Sequence, residues 1–214
     1  MAYKLRDGLH FCVSGGRAIF FDIPRDRYFA LQPAWDTAFQ NLVENMGPLP
    51  EVAELERAQI LIATKGDCEP LRPAEIIKAT REFRPEPGWP FVRHSAACII
   101  AQFRAVTWLR ICRFEAIITR LGGHAPVASG SCGADFAPLS QAFAATASLR
   151  PRQRHCLSSS IAYFLMVRKL GLSAKLVMGV CAQPFSAHCW VQCDDTVLND
   201  RLENIEPFQP IFCI

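Results

Sequence analysis

Cys156 opens a stretch in which Leu157, Ile161, Phe164, Leu165, Val167 and Leu170 recur at helical spacing before Gly171 supplies a stop. Farther on, Ala187-His188-Cys189-Trp190-Val191 reads as a strand, and Asn199-Asp200 follows on the returning segment. A thiol at a helix N-terminus is stabilised as thiolate by the free amide N–H groups there. Arg150, Arg152 and Arg154 just ahead add positive potential. An imidazole can take the thiol proton, and a carboxylate can hold the imidazole in the right tautomer. The three residue types in this order point to a cysteine hydrolase or acyltransferase. The oxyanion of such a reaction needs N–H donors, for which the backbone of Cys156 is the natural source and Gln153 a second candidate.

Other residues compete for these roles. Cys132 lies in Gly130-Ser131-Cys132-Gly133, where flanking glycines permit a strained nucleophile turn, but no clear strand precedes it. Cys12, Cys98 and Cys112 sit in apolar contexts and read as core. Cys181, His188, Cys189 and Cys193 cluster, yet no Cys-x-x-Cys pair exists and His188 and Cys189 point to opposite strand faces, so no metal is expected. His155 adjoins Cys156, and helix neighbours diverge by about 100°. His10 lies far upstream, and His94 and His124 have no nearby strand or carboxylate pattern.

Strand parity narrows the third member. His188, Trp190 and Gln192 share one face, and Asp194 and Asp195 look like turn residues. Directly opposed residues of an antiparallel pair have a constant index sum, so Asp200 reaches the face of His188 only across a hairpin with an odd loop. A three-residue loop, Asp194-Asp195-Thr196, would do this. A two-residue loop without a bulge would present Asn199 instead. Asp200 is the favoured partner and Asn199 the alternative.

These residues need a scaffold. Arg84-Pro85-Glu86-Pro87-Gly88-Trp89-Pro90 cannot continue a helix and marks a boundary, giving a domain over 1–84, a Pro-rich linker over 85–91 and a second domain over 92–214. Ahead of it, Leu9–Val13 and Ala18–Ile23 flank Gly15-Gly16, a two-residue hairpin signal, and Tyr28–Leu31 adds a third strand. Helices are expected from Pro33, over Glu51–Ala63 and over Pro73–Glu82. Three strands in a meander plus three helices make a small winged-helix-like module, and the chain as a whole is α+β. Beyond the linker, residues 92–121 read as one or two buried helices, and Asp135 as the N-cap of another reaching about Leu149.

Composition excludes some functions. Net charge is +3, and the first 84 residues carry one more Asp or Glu than Lys or Arg, which is poor for binding phosphates. No nucleic-acid partner is expected. The edge strand Tyr28–Leu31 could instead pair with an incoming extended peptide. Arginines interrupt the apolar stretch 92–121, so no window approaches the ~18 uncharged residues of a spanning helix, and no membrane role is expected. Ten cysteines without an apolar N-terminal run suggest reduced thiols in a cytoplasmic protein.

Residues 156–200 resemble the transglutaminase-like cysteine protease domain of lasso peptide biosynthesis B proteins. The resemblance rests on Cys156-Leu157 with Ser160, Gly171-Leu172-Ser173-Ala174-Lys175-Leu176-Val177-Met178-Gly179-Val180, Ala187-His188, Trp190-Val191 and Asn199-Asp200. Cys189 stands where Ala is usual and Gln192 where an acidic residue is common. Residues 1–84 are similar, by order of elements, to the PqqD-like leader-recognition domain of fused B proteins. The resemblance implies a papain/transglutaminase-like second domain that cuts a leader–core peptide bond with Cys156, His188 and Asp200. It implies a first domain that captures the leader of a ribosomal precursor peptide beside Tyr28, Phe29, Ala30 and Leu31 and a helix around Ile76 and Ile77. An asparagine-synthetase-like cyclase would be the partner, using ATP, with no cofactor on this chain. Acyl transfer to an amine, as in a transglutaminase, would use the same three residues, and an inert peptide-binding adaptor is the non-enzymatic alternative.

Overall fold

The computed structural model describes residues 2–64, 71–85, 92–122, 136–147 and 156–214. The chain divides into two units: Met1–Ile76 with Val180–Ser186 and Gln209–Phe212, and Ile77–Gly179 with Ala187–Phe208 and Cys213–Ile214.

In the first unit, β1 (Ala2–Leu5), β2 (Leu9–Ser14), β3 (Arg17–Asp22) and β4 (Arg27–Ala30) lead to α1 (Pro33–Val43), α2 (Val52–Arg57) and β5 (Leu61–Thr64). Strands β2-β3-β4 form the expected meander. Gly15 and Gly16 both have positive φ (58° and 74°), as a two-residue primed turn between Ser14 and Arg17 requires. One face of the meander brings Phe11 and Phe20 against Phe39 of α1, each with ring centroids 4.9 Å away. The other face is apolar as well: Phe21 stacks on Tyr28 at 4.4 Å, and Phe212 and Phe185 pack beside them. Burial on both faces explains why β3 reads as a continuous apolar run. At the end of β3 the buried Asp22 accepts hydrogen bonds from Arg6 Nη2 (2.7 Å) and the Arg25 backbone N–H (3.2 Å).

Two expectations for this region are corrected. Helix α2 ends at Arg57, because Gln59 adopts a left-handed φ of 55° and the apolar run that follows becomes β5. β5 pairs antiparallel with β1, Leu5 opposite Leu61, in a second sheet that local periodicity did not announce. The helix expected over Pro73–Glu82 is absent: residues 71–80 are irregular and Arg81–Glu82 form a strand, β6. The described part of the three-strand, three-helix winged-helix-like module therefore holds two helices. Residues 77–84, placed by sequence ahead of the linker, fall within the second of these units. Residues 86–91 of the Pro-rich linker, and the expected N-cap Asp135, lie outside the described residues.

The rest of the chain forms α3 (Val92–Ile111), α4 (Phe114–Gly122), α5 (Ala137–Ala147) and α6 (Cys156–Lys169), then β7 (Lys175–Ala182), β8 (Phe185–Cys193), β9 (Thr196–Val197), α7 (Leu202–Ile205) and β10 (Gln209–Cys213), all in the second unit except Val180–Ser186 and Gln209–Phe212. The last third, together with β6, builds a sheet in the order β10-β7-β8-β9-β6. Helix α3 packs on α5 and α6. Gln102 donates to Thr146 (3.1 Å), tying α3 to α5, and Ser140 bonds Tyr163 (2.7 Å), tying α5 to α6. Helix α6 is buried around most of its circumference, with Ile161, Ala162, Tyr163 and Val167 fully enclosed. Gly171, at φ 70°, ends it with the expected stop: Leu172 N–H reaches Val167 O (3.0 Å) and Gly171 N–H reaches Arg168 O (3.1 Å). Among the described residues no helix is long and apolar enough to cross a membrane.

Candidate active site

Cys156 is the first residue of α6 and is exposed, whereas the thiols of Cys12, Cys98 and Cys189 are buried. His188 lies on β8 on the face of Trp190, and strand alternation sends Cys189 to the opposite side. His188 Nε2 meets Asp200 Oδ2 at 2.6 Å. A side-chain hydrogen bond also joins His188 to Cys156. Sulfur, imidazole and carboxylate thus form one chain of hydrogen bonds.

The electrostatics follow. The bond to His188 pulls the Cys156 thiol below its ordinary value against the opposing effect of burial, helped by backbone hydrogen bonds involving Leu157 and Cys189. Burial acts the other way on the remaining shifted thiols, pushing Cys12 up to about 12 and Cys98 to about 11. For His188, burial favours the neutral ring, but the bonds to Asp200 and Cys156 outweigh it and push the imidazole up to about 9. Asp200 is raised by burial, yet His188, Asn204 and the Arg201 backbone hold it below the usual carboxylate range. Asn204 Nδ2 and the Arg201 N–H donate to its Oδ1 at 2.7 and 2.8 Å, leaving Oδ2 for the histidine. The arrangement favours a thiolate–imidazolium pair.

Two aromatic rings lie beside the His188 ring. Trp190 lies near-parallel to it at 6.3 Å and Phe208 at 5.2 Å. Trp190 is fixed in turn by donating from Nε1 to Gln192 (2.7 Å), whose amide donates to the carbonyls of Ile77 and Asp194. A Cβ on Gly179 would come within 2.7 Å of the Trp190 ring, so glycine is what lets the indole lie against β7.

The hairpin that presents Asp200 corrects the expected loop. Gln192 pairs with Val197 and Cys193 with Thr196, so the turn has two residues, Asp194-Asp195, with Asp194 at φ 48°. Continued as a regular ladder, this register would turn Asn199 toward His188. Instead β9 stops at Val197 and residues 198–200 bend. Asn199 folds its side chain back to accept the Val191 N–H (2.7 Å), and Asp200 turns to the histidine. The peptide unit past the ladder supplies what a bulge would have supplied.

Other expected residues fall as follows. Tyr28, Phe29 and Ala30 lie on β4, at an edge of the β2-β3-β4 sheet, with Leu31 buried beyond it. Ile76 and Ile77 lie in the irregular stretch rather than on a helix, and Ile77 is exposed. That stretch takes its hydrogen bonds from the sheet of the second unit: Thr80 and Arg81 N–H both donate to Asp195 O, and Phe83 N–H to Val197 O. Those partners are what a helix there would have had to give up. Gln153, Cys132, His124 and His155 lie outside the described residues. Among the described residues no group of three His, Cys, Asp or Glu is placed to hold a metal ion. Cys193 is disulfide-bonded, correcting the expectation of wholly reduced thiols. Asn204 escaped sequence reasoning, although its spacing four residues after Asp200 was a usable signal.

A cysteine at a helix start, bonded to a strand histidine that is bonded to an aspartate, defines a site suited to cysteine-dependent hydrolysis or transfer. Residues 99–213, just over half the chain, match the profile of the transglutaminase-like superfamily, and the chain belongs to that family. The matched span contains all three residues. No curated protein and no solved structure matches the chain.

Proposed function

We propose that this protein is the leader peptidase of a lasso-peptide pathway, binding the leader of a ribosomal precursor and hydrolysing the leader–core bond. The observation that carries the reading is His188 bonded to both Asp200 and Cys156, an exposed residue. Cys156 thiolate attacks the scissile carbonyl, and backbone N–H donors at the start of α6 stabilise the oxyanion. The His188 imidazolium gives its proton to the departing core amine, which leaves a leader thioester on the sulfur. A water molecule, deprotonated by His188, then releases the leader acid and restores the thiol. Throughout, Asp200 keeps the ring oriented.

The leader, in this reading, adds as a strand along the edge strand β4 at Tyr28–Leu31. The freed core amine passes to an asparagine-synthetase-like cyclase that uses ATP, in the cytoplasm, while this chain needs no cofactor. The test is incubation of the full chain with a synthetic precursor peptide, followed by mass spectrometry. Wild type yields leader acid and core, and Cys156→Ala still binds a fluorescent leader but does not cut. Cleavage by Cys156→Ala would overturn the reading, and quantitative capture of the leader by an added amine in place of water would make the enzyme a transferase.

A further inference from the structure

Beside the Cys156–His188–Asp200 chain runs a second one, each of whose members is tied by the backbone to a member of the first. Ser160 is one helical turn after Cys156 on α6, the Cys189 carbonyl belongs to the residue after His188, and Asn199 immediately precedes Asp200. Asn199 Nδ2 donates to Ser160 Oγ (2.8 Å), and Ser160 Oγ donates to Cys189 O (2.8 Å). Asn199 Oδ1 accepts from the Val191 N–H (2.7 Å), while the Leu198 N–H donates to Val191 O (2.9 Å). Ser160 is 1% exposed, so each of its bonds lies in a dry setting where a lost partner leaves a buried polar group unpaired.

We infer that Ser160 and Asn199 are positioning residues that clamp the helix of the nucleophile, the strand of the base and the bend of the carboxylate into one register. The inference rests on the reading of Cys156, His188 and Asp200 as reacting groups. Asn199 has a specific part: by occupying the Val191 N–H, it takes the place of the next ladder bond and frees Asp200 to turn. Without it, β9 would extend in a register that carries Asp200 away from His188. Ser160 locks Asn199 and holds α6 against β8, which fixes the reach from sulfur to ring.

The test needs no substrate. Alkylation of the Cys156 thiol by iodoacetamide is followed against pH in the full-length protein, with the modified peptide resolved by mass spectrometry. In Ser160→Ala and Asn199→Ala the midpoint is expected to rise by about one pH unit, a tenfold loss of thiolate below it, in the same direction as Asp200→Asn. Alkylation of Cys112 should not move. Ser160→Thr, which keeps the hydroxyl, should hold the wild-type midpoint. Against the precursor peptide, kcat should fall while KM stays. Should Asn199→Ala fail to fold, Ser160→Ala, which loses one oxygen, carries the measurement. A wild-type midpoint in folded Ser160→Ala and Asn199→Ala, with Asp200→Asn shifted, would overturn the inference. A shifted midpoint in a chain that never cuts the precursor would uphold it and refute the peptidase reading alone.

Discussion

His188 Nε2 and Asp200 Oδ2 meet at 2.6 Å across a hairpin whose register, continued regularly, would have paired the histidine's face with Asn199. The contact therefore depends on where β9 ends. The ladder yields to a side chain, and the carboxylate reaches its partner from a bend held by Asn204 and the Arg201 N–H.

Removing the sulfur or disturbing its partners should affect turnover unequally. Cys156→Ala and His188→Ala are expected to lower kcat for peptide cleavage by about 10³-fold or more, and Asp200→Asn by a comparable factor through the wrong tautomer. Single-turnover kinetics with the precursor peptide measure this. Melting temperatures near wild type would show that the loss is chemical.

Activity should follow a bell-shaped pH profile. The acid limb lies where the Cys156 thiolate is protonated, below the ordinary thiol value because that group is shifted down. The alkaline limb lies near 9, where His188 loses the proton that the leaving amine needs. His188 is raised in the folded state, so its contribution to stability is complete below the unfolded value of about 6.5 and is lost as pH climbs through about 9. Replacing Asp200 with Asn should move the alkaline limb of kcat/KM to lower pH.

Gly179→Ala tests the support of the ring. Its new methyl would meet Trp190 Cη2 at 2.7 Å and Cζ3 at 2.8 Å, forcing the indole from its place beside His188. Overpacking of this kind costs about 1–3 kcal/mol. Urea denaturation should show the loss of stability, and kcat should fall with it; unchanged values for both would mean that the indole is free to move.

Asp22 tests the first unit. Its carboxylate is fully buried, with Arg6 at 2.7 Å, and Asp22→Ala leaves that guanidinium without its buried partner. The expected cost is about 3 kcal/mol. The loss should appear in chemical denaturation and leave the pH midpoint of Cys156 alkylation where it was.

Short-range signals carried much of the architecture. Gly15-Gly16 announced its hairpin, Pro33 the start of α1, and Gly171 the end of α6, because each is a local backbone preference that tertiary contacts did not override. The alternation along β8 separated His188 from Cys189. What local pattern could not show was pairing at a distance. β5 was read as the tail of a helix because its partner β1 lies some sixty residues earlier in the chain. The stretch 73–82 has helical spacing, but the Asp195 carbonyl takes the N–H groups of Thr80 and Arg81 near its end. The turn length after β8 was also beyond reach. Parity arguments assume a continuing ladder, and this one ends when the Asn199 side chain intervenes.

Intact-protein mass spectrometry of the enzyme, acid-quenched during turnover of a precursor peptide, tests the covalent chemistry most directly. The expected result is an adduct with the mass of the leader acyl group, mapped to Cys156 and missing from Cys156→Ala. Continued release of leader and core by the Cys156→Ala protein, with no adduct on wild type at any quench time, would contradict it.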